Sequence, residues 1–116
     1  MRDDVLVYLS GPITARDGHS VEENVLVALR VYLACVRDGV PAFCPHLSAA
    51  FPSAFDVPWD AWIAHDKAIL ARCTHVLMLP RWETSRGAVL EQQHADALGI
   101  PVCYSVVELR HAIAHV

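Results

Sequence analysis

Two acidic side chains occupy helical positions at which the spacing of their neighbours predicts an apolar residue. Glu91 lies three residues after Ala88 and four before Ala95, so it falls on the helix stripe that faces the sheet. Asp66 lies three residues after Ile63 on another helix and falls among inward-facing residues in the same way. A buried carboxyl must be paired, raised in pKa or used chemically. The pattern therefore predicts carboxyl chemistry; the alternatives are a solvated Glu91 near its helix start and an Asp66 ion pair with a nearby Lys, Arg or His.

Candidate binding residues lie at the end of the first predicted strand and just beyond it. Tyr8 lies near the carboxyl end of that strand, where it either serves the site or packs in the core with its hydroxyl bonded to backbone. Ser10, Gly11 and Ile13 belong to the segment that follows at once. Because glycine lets a ligand approach the backbone and a strand-to-loop turn leaves amides free, this segment is a candidate anion site.

A second candidate segment opens the helix that carries Glu91. Ser85 and Gly87 lie at its start, with an arginine between them. These residue types at a helix amino terminus favour an anion such as phosphate, while a simpler interpretation makes Ser85 only the helix cap. His46 follows the second predicted strand at the same edge, and Trp82 offers a flat ring in the loop before Ser85. The histidines lack companions at metal-ligand spacing, so no metal site is expected.

Strands and helices that alternate along the chain position these residues. The predicted strands are Val5–Leu9, Val40–Cys44, Thr74–Leu79 and Pro101–Ser105. The first predicted helix follows the Ser20 cap and ends at Asp38, and the others are Trp59–Ala71, Ser85–Leu98 and Val106–His115. The predicted inward stripe of the first helix consists of Val25, Leu29, Tyr32, Leu33 and Val36.

This alternation predicts one α/β domain over residues 1–116. Apolar strands between amphipathic helices are typical of a small doubly wound parallel sheet, here of four to five strands, with helices on both faces. Ligands in such folds bind at the carboxyl ends of the strands, where the strand order reverses. The loops after Leu9, Cys44 and Leu79 are therefore expected to build one site.

The composition excludes several classes of protein. The 116 residues carry a net charge of −4, and only nine are Lys or Arg. A nucleic-acid polymer is not an expected partner, because its binders normally have a basic face. No apolar run approaches the ~20 residues of a membrane span and no signal peptide precedes the first strand, so we expect a cytoplasmic protein with no membrane partner. The four cysteines form no close pair and fit buried, reduced thiols.

Four stretches of the sequence resemble the nucleoside 2-deoxyribosyltransferase-like superfamily. They are Val7–Ile13, Asp66 with Ala71–Val76, Leu79–Glu91 and Ala97–Val102, so the resemblance covers nearly the whole chain. Its most specific element is Ser-x-Gly-Ala-x-x-Glu after a Trp-Glu loop. That form resembles the nucleoside 5′-monophosphate N-glycosidases and a small, often phage-associated subgroup of uncharacterised proteins.

The resemblance implies a flavodoxin-like or Rossmann-like fold, a retaining mechanism and a homodimer or higher homo-oligomer. It implies that Glu91 is the nucleophile, that Asp66 is the acidic residue near the base, and that Tyr8 lies beside the nucleophile. The transferases usually have Asp six residues before the nucleophilic Glu, where it holds the sugar 5′-hydroxyl, whereas the monophosphate N-glycosidases have Ser there. This chain has Ser85 at that position. A hydroxyl at a helix amino terminus attracts a phosphate that a carboxylate would repel, so a nucleotide substrate is favoured.

We therefore expect an N-glycosidase whose small-molecule partner is a nucleoside or deoxynucleoside 5′-monophosphate. Glu91 attacks C1′, Asp66 protonates or positions the leaving base, and Tyr8 donates a hydrogen bond to Glu91. The expected binding residues are Ser10, Gly11, Ser85 and Gly87 for the phosphate, Arg16 or Arg86 for added charge, and Ile13, His46 and Trp82. No metal or cofactor is expected, since a carboxylate is already ionised at neutral pH. The alternatives are a deoxyribosyltransferase that exchanges bases and a non-catalytic nucleotide-binding module.

Overall fold

Four parallel strands and four α-helices alternate along the chain in the computed structural model, which describes residues 1–114. The strands are β1 (Val7–Ser10), β2 (Ala42–Phe43), β3 (His75–Met78) and β4 (Val102–Cys103), and the helices are α1 (Val21–Arg37), α2 (Trp59–Leu70), α3 (Arg86–Leu98) and α4 (Val106–Ala114). The predicted α/β class is confirmed, with strands shorter than predicted. The predicted end of the last helix, His115, lies outside the described residues.

The strands form one sheet in the order β2-β1-β3-β4, and every neighbouring pair is parallel. The chain adds β2 on one side of β1 and then crosses over to add β3 and β4 on the other side. The strand order therefore reverses at the β1–β3 pair, which is the doubly wound arrangement predicted from the sequence. The loops that follow β1 and β3 leave the same edge of the sheet at this point.

Helices cover both faces of the sheet, and successive residues of β1 point to opposite faces. Val7 and Leu9 belong to the apolar cluster that contains buried residues of α1 and α4. Tyr8 belongs to the cluster on the other face, which contains buried residues of α2 and α3. Ser10, two residues after Tyr8, ends the strand and is fully buried. The alternation thus directs Tyr8 and Ser10 toward the face that carries α3.

The buried face of α1 differs from the predicted stripe. Ser20 caps the helix as predicted, because its Oγ accepts a hydrogen bond from the Glu23 amide at 3.1 Å. The buried residues of the helix, however, are Asn24, Ala28 and Cys35. Leu33 and Val36 from the predicted stripe are 39% and 48% exposed. The stripe is wrong in part: Tyr32 packs against the core as predicted, but the most deeply buried positions carry small and polar side chains, where hydrophobicity is a poor guide.

The segment after β2, predicted as a loop from Pro45 to Pro58, contains two 3₁₀ helices. These helices, Pro45–Ala50 and Pro52–Asp56, both begin with a proline, which is pre-organised for a helix start. The indole nitrogen of Trp62 donates a hydrogen bond to the Ala54 carbonyl oxygen at 2.7 Å and ties the second 3₁₀ helix to α2. This segment is therefore ordered against the helix that carries Asp66.

The structure also describes the helix lengths and the cysteines. No helix within residues 1–114 has both the length and the apolar character needed to cross a membrane. The four cysteines are all buried, and none forms a disulfide. Burial raises the pKa of each of these thiols, so they stay protonated and pack as small apolar side chains.

Candidate active site

A cavity of about 440 Å³ opens at the carboxyl edge of the sheet. Its walls come from the loop after β1, the two 3₁₀ helices after β2, α2, the loop after β3 and the first turns of α3. This is the position at which doubly wound folds bind ligands, and the volume is in the range of small-molecule sites. Both Glu91 and Asp66 line this cavity.

Glu91 is 5% exposed and is held by two hydroxyl groups of β1. Tyr8 Oη donates a hydrogen bond to Oε2 at 2.5 Å, and Ser10 Oγ donates one to Oε1 at 2.7 Å. No ion pair involves Glu91 within the described part of the chain. Each carboxylate oxygen thus keeps a lone pair available, and the orientation of the group is fixed by neutral donors.

Burial dominates the ionisation of Glu91. It raises the pKa of this carboxyl to about 7, although the hydrogen bonds from Tyr8 and Ser10 oppose the rise. The charge of Asp66 contributes to the same rise. The carboxyl therefore titrates near neutral pH, which differs from the expectation of a fully ionised group. Burial, with the two carboxyls nearby, holds the pKa of Tyr8 far above its ordinary value, so its hydroxyl remains a donor.

Asp66 reaches the cavity from α2 and is 7% exposed. Burial raises the pKa of this carboxyl, and the contact with His65 lowers it again in part. His65 Nδ1 lies 2.9 Å from Asp66 Oδ1, with the histidine side chain half exposed. A carboxyl with a raised pKa that faces a cavity can hold and deliver a proton. Asp66 therefore lines the cavity. It also contacts a histidine, which is the alternative interpretation of this residue.

Ser85 caps α3 at the cavity wall, where its Oγ accepts a hydrogen bond from the Ala88 amide at 3.2 Å. Gly87 lines the same wall, and a Cβ built there would lie 3.3 Å from Ile63 Cδ1. A helix amino terminus with free amides and a hydroxyl is a favourable place for an anion. The structure therefore brings this segment to the cavity that holds Glu91.

The loop after β1 supplies Gly11, Ile13 and Arg16 to the cavity lining. A Cβ at Gly11 would lie only 2.7 Å from Leu79 Cβ, so glycine allows the loops after β1 and β3 to pack together. Ser10, by contrast, has its hydroxyl engaged by Glu91. This contact with Glu91 differs from the predicted contact with a phosphate. Ser10 therefore orients the Glu91 carboxylate.

Two predicted arginines line the rim of the cavity. Arg16 is exposed, and its Nε lies 3.6 Å from Asp17 Oδ2. The guanidinium of Arg86 lies 4.7 Å from the centroid of the Trp59 ring. Apolar and aromatic side chains of the second 3₁₀ helix and α2 also line the cavity; they are Phe55, Trp59, Trp62 and Ile63.

Arg81 and Asn24 also belong to the site but were not predicted from the sequence. Arg81 lines the cavity, and its Nη2 donates a hydrogen bond to Asn24 Oδ1 at 2.6 Å. Asn24 Nδ2 donates hydrogen bonds to the carbonyl oxygens of Ile13 and Thr14 at 3.1 and 3.2 Å. The signal was available, because Asn24 precedes the buried Ala28 by four residues, the same helical spacing that marks Glu91.

His46 and Trp82 do not line this cavity. His46 is buried behind it, where its Nε2 donates to the Pro12 carbonyl oxygen at 3.1 Å and burial lowers its pKa to about 4. Trp82 packs with its ring centroid 5.7 Å from that of Tyr104 and lines a separate depression. Their predicted contacts with a ligand are therefore not available in this cavity. In residues 1–114, no group of three or more His, Cys, Asp and Glu side chains is arranged to hold a metal ion.

Comparison with known families places the chain in a family. A family model with the description "Domain of unknown function (DUF4406)" matches residues 5–104, so the chain belongs to this family. The matched range includes Tyr8, Asp66 and Glu91. No curated protein matches the chain.

The raised pKa of Glu91 has a consequence for stability that Glu91→Gln measures. In the wild type the folded carboxyl titrates near 7 and the ordinary value is 4.5, so the unfolded state ionises first as pH rises. The free energy of unfolding contributed by this group is fully present below pH 4.5 and is lost through pH 7, by up to about 3 kcal/mol. Relative to wild type, Glu91→Gln should therefore gain stability between pH 4.5 and 8 in urea unfolding.

The exposed Glu22 on α1 provides the matched control. Glu22→Gln should show no comparable gain over this pH range. A stability difference between Glu91→Gln and wild type that stays constant from pH 4.5 to 8 would show that the carboxyl is not desolvated in solution.

Proposed function

We propose that this member of the DUF4406 family cleaves the base–sugar bond of a nucleoside or deoxynucleoside 5′-monophosphate through a covalent glycosyl–Glu91 intermediate. The observation that carries the proposal is a buried carboxyl on the wall of a ligand-sized cavity, oriented by two hydroxyl donors and free of any ion pair within residues 1–114. A structural carboxyl has no need of an open cavity, whereas a nucleophile requires one.

Glu91 acts in its ionised form. Cleavage of an N-glycosidic bond develops positive charge at C1′, which a carboxylate stabilises and then captures. The Glu91 oxygen forms a bond to C1′ while the C1′–N bond breaks. The electron pair of the C1′–N bond leaves with the base nitrogen. Tyr8 and Ser10 orient the carboxylate and favour its ionised form, which supports the nucleophilic role. With a pKa of about 7, the active fraction grows as pH rises through neutrality.

Asp66 acts as the acid and then as the base. Burial raises its pKa and so enlarges its protonated fraction, and this protonated form gives its proton to the departing base. In the second step the Asp66 carboxylate takes a proton from water, and the water oxygen attacks C1′ and releases Glu91. The products are the free base and the sugar 5-phosphate, and both carboxyls return to their starting protonation states. Two displacements at C1′ give retention of configuration.

The substrate class follows from the polar rim and the apolar wall. Ser85 and Gly87 at the α3 amino terminus, with Gly11 and a nearby arginine, suit a phosphate dianion. Trp62 and Ile63, which line the same cavity, suit the flat base. One cavity thus offers an anion site, apolar side chains and two carboxyls, which match the phosphate, the base and the sugar carbon of a mononucleotide.

We further propose a homodimer or higher homo-oligomer in the cytoplasm, whose molar mass light scattering would measure. Large apolar side chains exposed on α1 support an interface, among them Leu26 and Val36 at 53% and 48% exposure. Unpaired, buried cysteines support a reducing compartment.

Removal of the nucleophile tests the reaction. Purified protein is incubated with eight ribo- and deoxyribonucleoside 5′-monophosphates, and free base is measured by chromatography. Glu91→Ala should lower the turnover by at least about a thousandfold, while the control Glu22→Gln keeps wild-type turnover. Near wild-type turnover in Glu91→Ala overturns the mechanism. Incorporation of a labelled free base into the substrate would assign transfer, and binding without release of base would assign a nucleotide-binding module.

The pH profile tests the contact between Tyr8 and Glu91. We expect kcat/KM to rise through about pH 7 as Glu91 ionises. Tyr8→Phe removes a donor that lowers the Glu91 pKa, so the rising limb should move to higher pH and the maximum should fall about tenfold. Tyr32→Phe, on the opposite face of the sheet, is the control. If the rising limb of the kcat/KM profile lies at the same pH in Tyr8→Phe as in the wild type, the Tyr8 hydroxyl does not act on Glu91.

Ser85→Asp tests the phosphate site without removal of the helix cap, because Asp also caps helices. The carboxylate should repel a 5′-phosphate, so the ratio of kcat/KM for monophosphate over nucleoside should fall at least about tenfold. Ser85→Asn also caps but is neutral, and it should keep most of the preference. An equal ratio in the wild type and Ser85→Asp would leave Ser85 as a helix cap only.

A further inference from the structure

We propose that Arg81, positioned by the buried Asn24, determines the specificity of this site for a 5′-phosphate. The inference rests on the proposed function and deepens it, because it assigns phosphate recognition to a residue that neither the sequence pattern nor the helix amino terminus identifies. Three observations support this proposal. They are the backbone conformation of Arg81, the neutral amide that its guanidinium contacts, and the two loops that this amide side chain connects.

Arg81 adopts a left-handed backbone conformation, with φ 64° and ψ 21°. This region favours glycine, and an arginine here is strained because its Cβ crowds the backbone. Local hydrogen bonds stabilise this conformation, because the Arg81 carbonyl oxygen accepts from the amide and the hydroxyl of Thr84. An arginine kept at such a position points to a requirement for its side chain.

The guanidinium of Arg81 retains its full charge. Its hydrogen-bond partner is the neutral amide of Asn24, and within the described chain no carboxylate lies at ion-pair distance from it. The other two cavity-lining arginines are engaged differently, Arg16 with Asp17 and Arg86 with the Trp59 ring. An amide positions a guanidinium without neutralising it, so Arg81 offers free donors and net positive charge to an anion.

Asn24 connects Arg81 to the loop after β1. The side chain is 3% exposed, and its amide group donates to the carbonyl oxygens of Ile13 and Thr14, which both line the cavity. One buried side chain therefore sets the relative position of the loops after β1 and β3. We assign Asn24 as a positioning residue that acts through Arg81.

The location of Arg81 fits a phosphate bound at the start of α3. A single 3₁₀ turn, Trp82–Thr84, separates it from Ser85, and both Arg81 and Ser85 line the cavity. A phosphate that accepts hydrogen bonds from the α3 amino terminus would then have an arginine fork within the same wall.

Binding measurements separate this proposal from the reaction. Calorimetry on Glu91→Gln, which retains the cavity but lacks the nucleophile, gives the Kd of the best-bound nucleoside monophosphate of the panel and of its matching nucleoside. In this background Arg81→Gln should raise the Kd of the monophosphate at least about tenfold and leave that of the nucleoside unchanged. Arg72→Gln is the matched control, because Arg72 is an exposed arginine outside the cavity lining.

Two further variants guard against a folding defect. Arg81→Gly relaxes the left-handed backbone and should remain folded by circular dichroism, with the same selective loss of monophosphate binding. Asn24→Ala should give a similar loss, and Asn24→Ala with Arg81→Gln should lose little more than Arg81→Gln alone, because both changes remove one interaction. In the otherwise wild-type chain, Arg81→Gln should raise KM for the monophosphate more than it lowers kcat.

The outcomes distinguish the two proposals. Unchanged monophosphate binding in folded Arg81→Gln and Arg81→Gly overturns the assignment of Arg81, even if wild-type protein releases base. Arg81-dependent monophosphate binding without base release by wild-type protein upholds the assignment and overturns the proposed reaction. If no monophosphate binds to the wild type or to Glu91→Gln, both proposals fail.

Discussion

The hydrogen bonds from Tyr8 and Ser10 to Glu91 are the interaction on which the rest of the site depends. Placing a carboxyl between a sheet and a helix is costly because water no longer solvates its charge. The two hydroxyls offset part of this cost, and they do so without a positive charge that would quench the carboxylate. What remains is a group near its midpoint of ionisation at neutral pH, with its direction fixed and one side open to a cavity.

The sheet topology makes this arrangement possible. Residues two apart on a strand share a face, so one short strand supplies both donors. Because β3 pairs directly with β1, the helix that follows β3 packs over the same face, and Glu91 meets Tyr8 and Ser10. The strand order reverses at this pair, and the cavity lies at the carboxyl edge of the sheet there. Asp66 reaches the same cavity from α2, which makes two carboxyls of different environment available to one ligand.

The sequence contained enough to predict the α/β class, the order of the elements and the inward position of both carboxyls. Helical spacing alone placed Glu91 and Asp66, because a charged residue among apolar positions is a strong departure from the pattern. The same rule does not single out Asn24, because the inward positions of its helix are small and several larger apolar residues of that helix are exposed. Spacing cannot reveal a partner distant in sequence, so the contacts of Ser10 with Glu91 and of Arg81 with Asn24 appeared only in three dimensions. Trp82 shows the converse limit, because its place in a loop beside Ser85 does not determine which side of that loop its ring occupies.

A trapped covalent intermediate tests the central claim most directly. A fluorine at C2′ of a nucleoside 5′-monophosphate withdraws electrons and slows both displacements at C1′, so an ester between the sugar and its nucleophile should accumulate. Intact-protein mass spectrometry should then show the added mass of one fluorinated sugar phosphate, with fragmentation that assigns it to Glu91 and no adduct in Glu91→Gln. Base release from this analogue without an adduct, or an adduct on another residue, would contradict the assignment of Glu91 as the nucleophile.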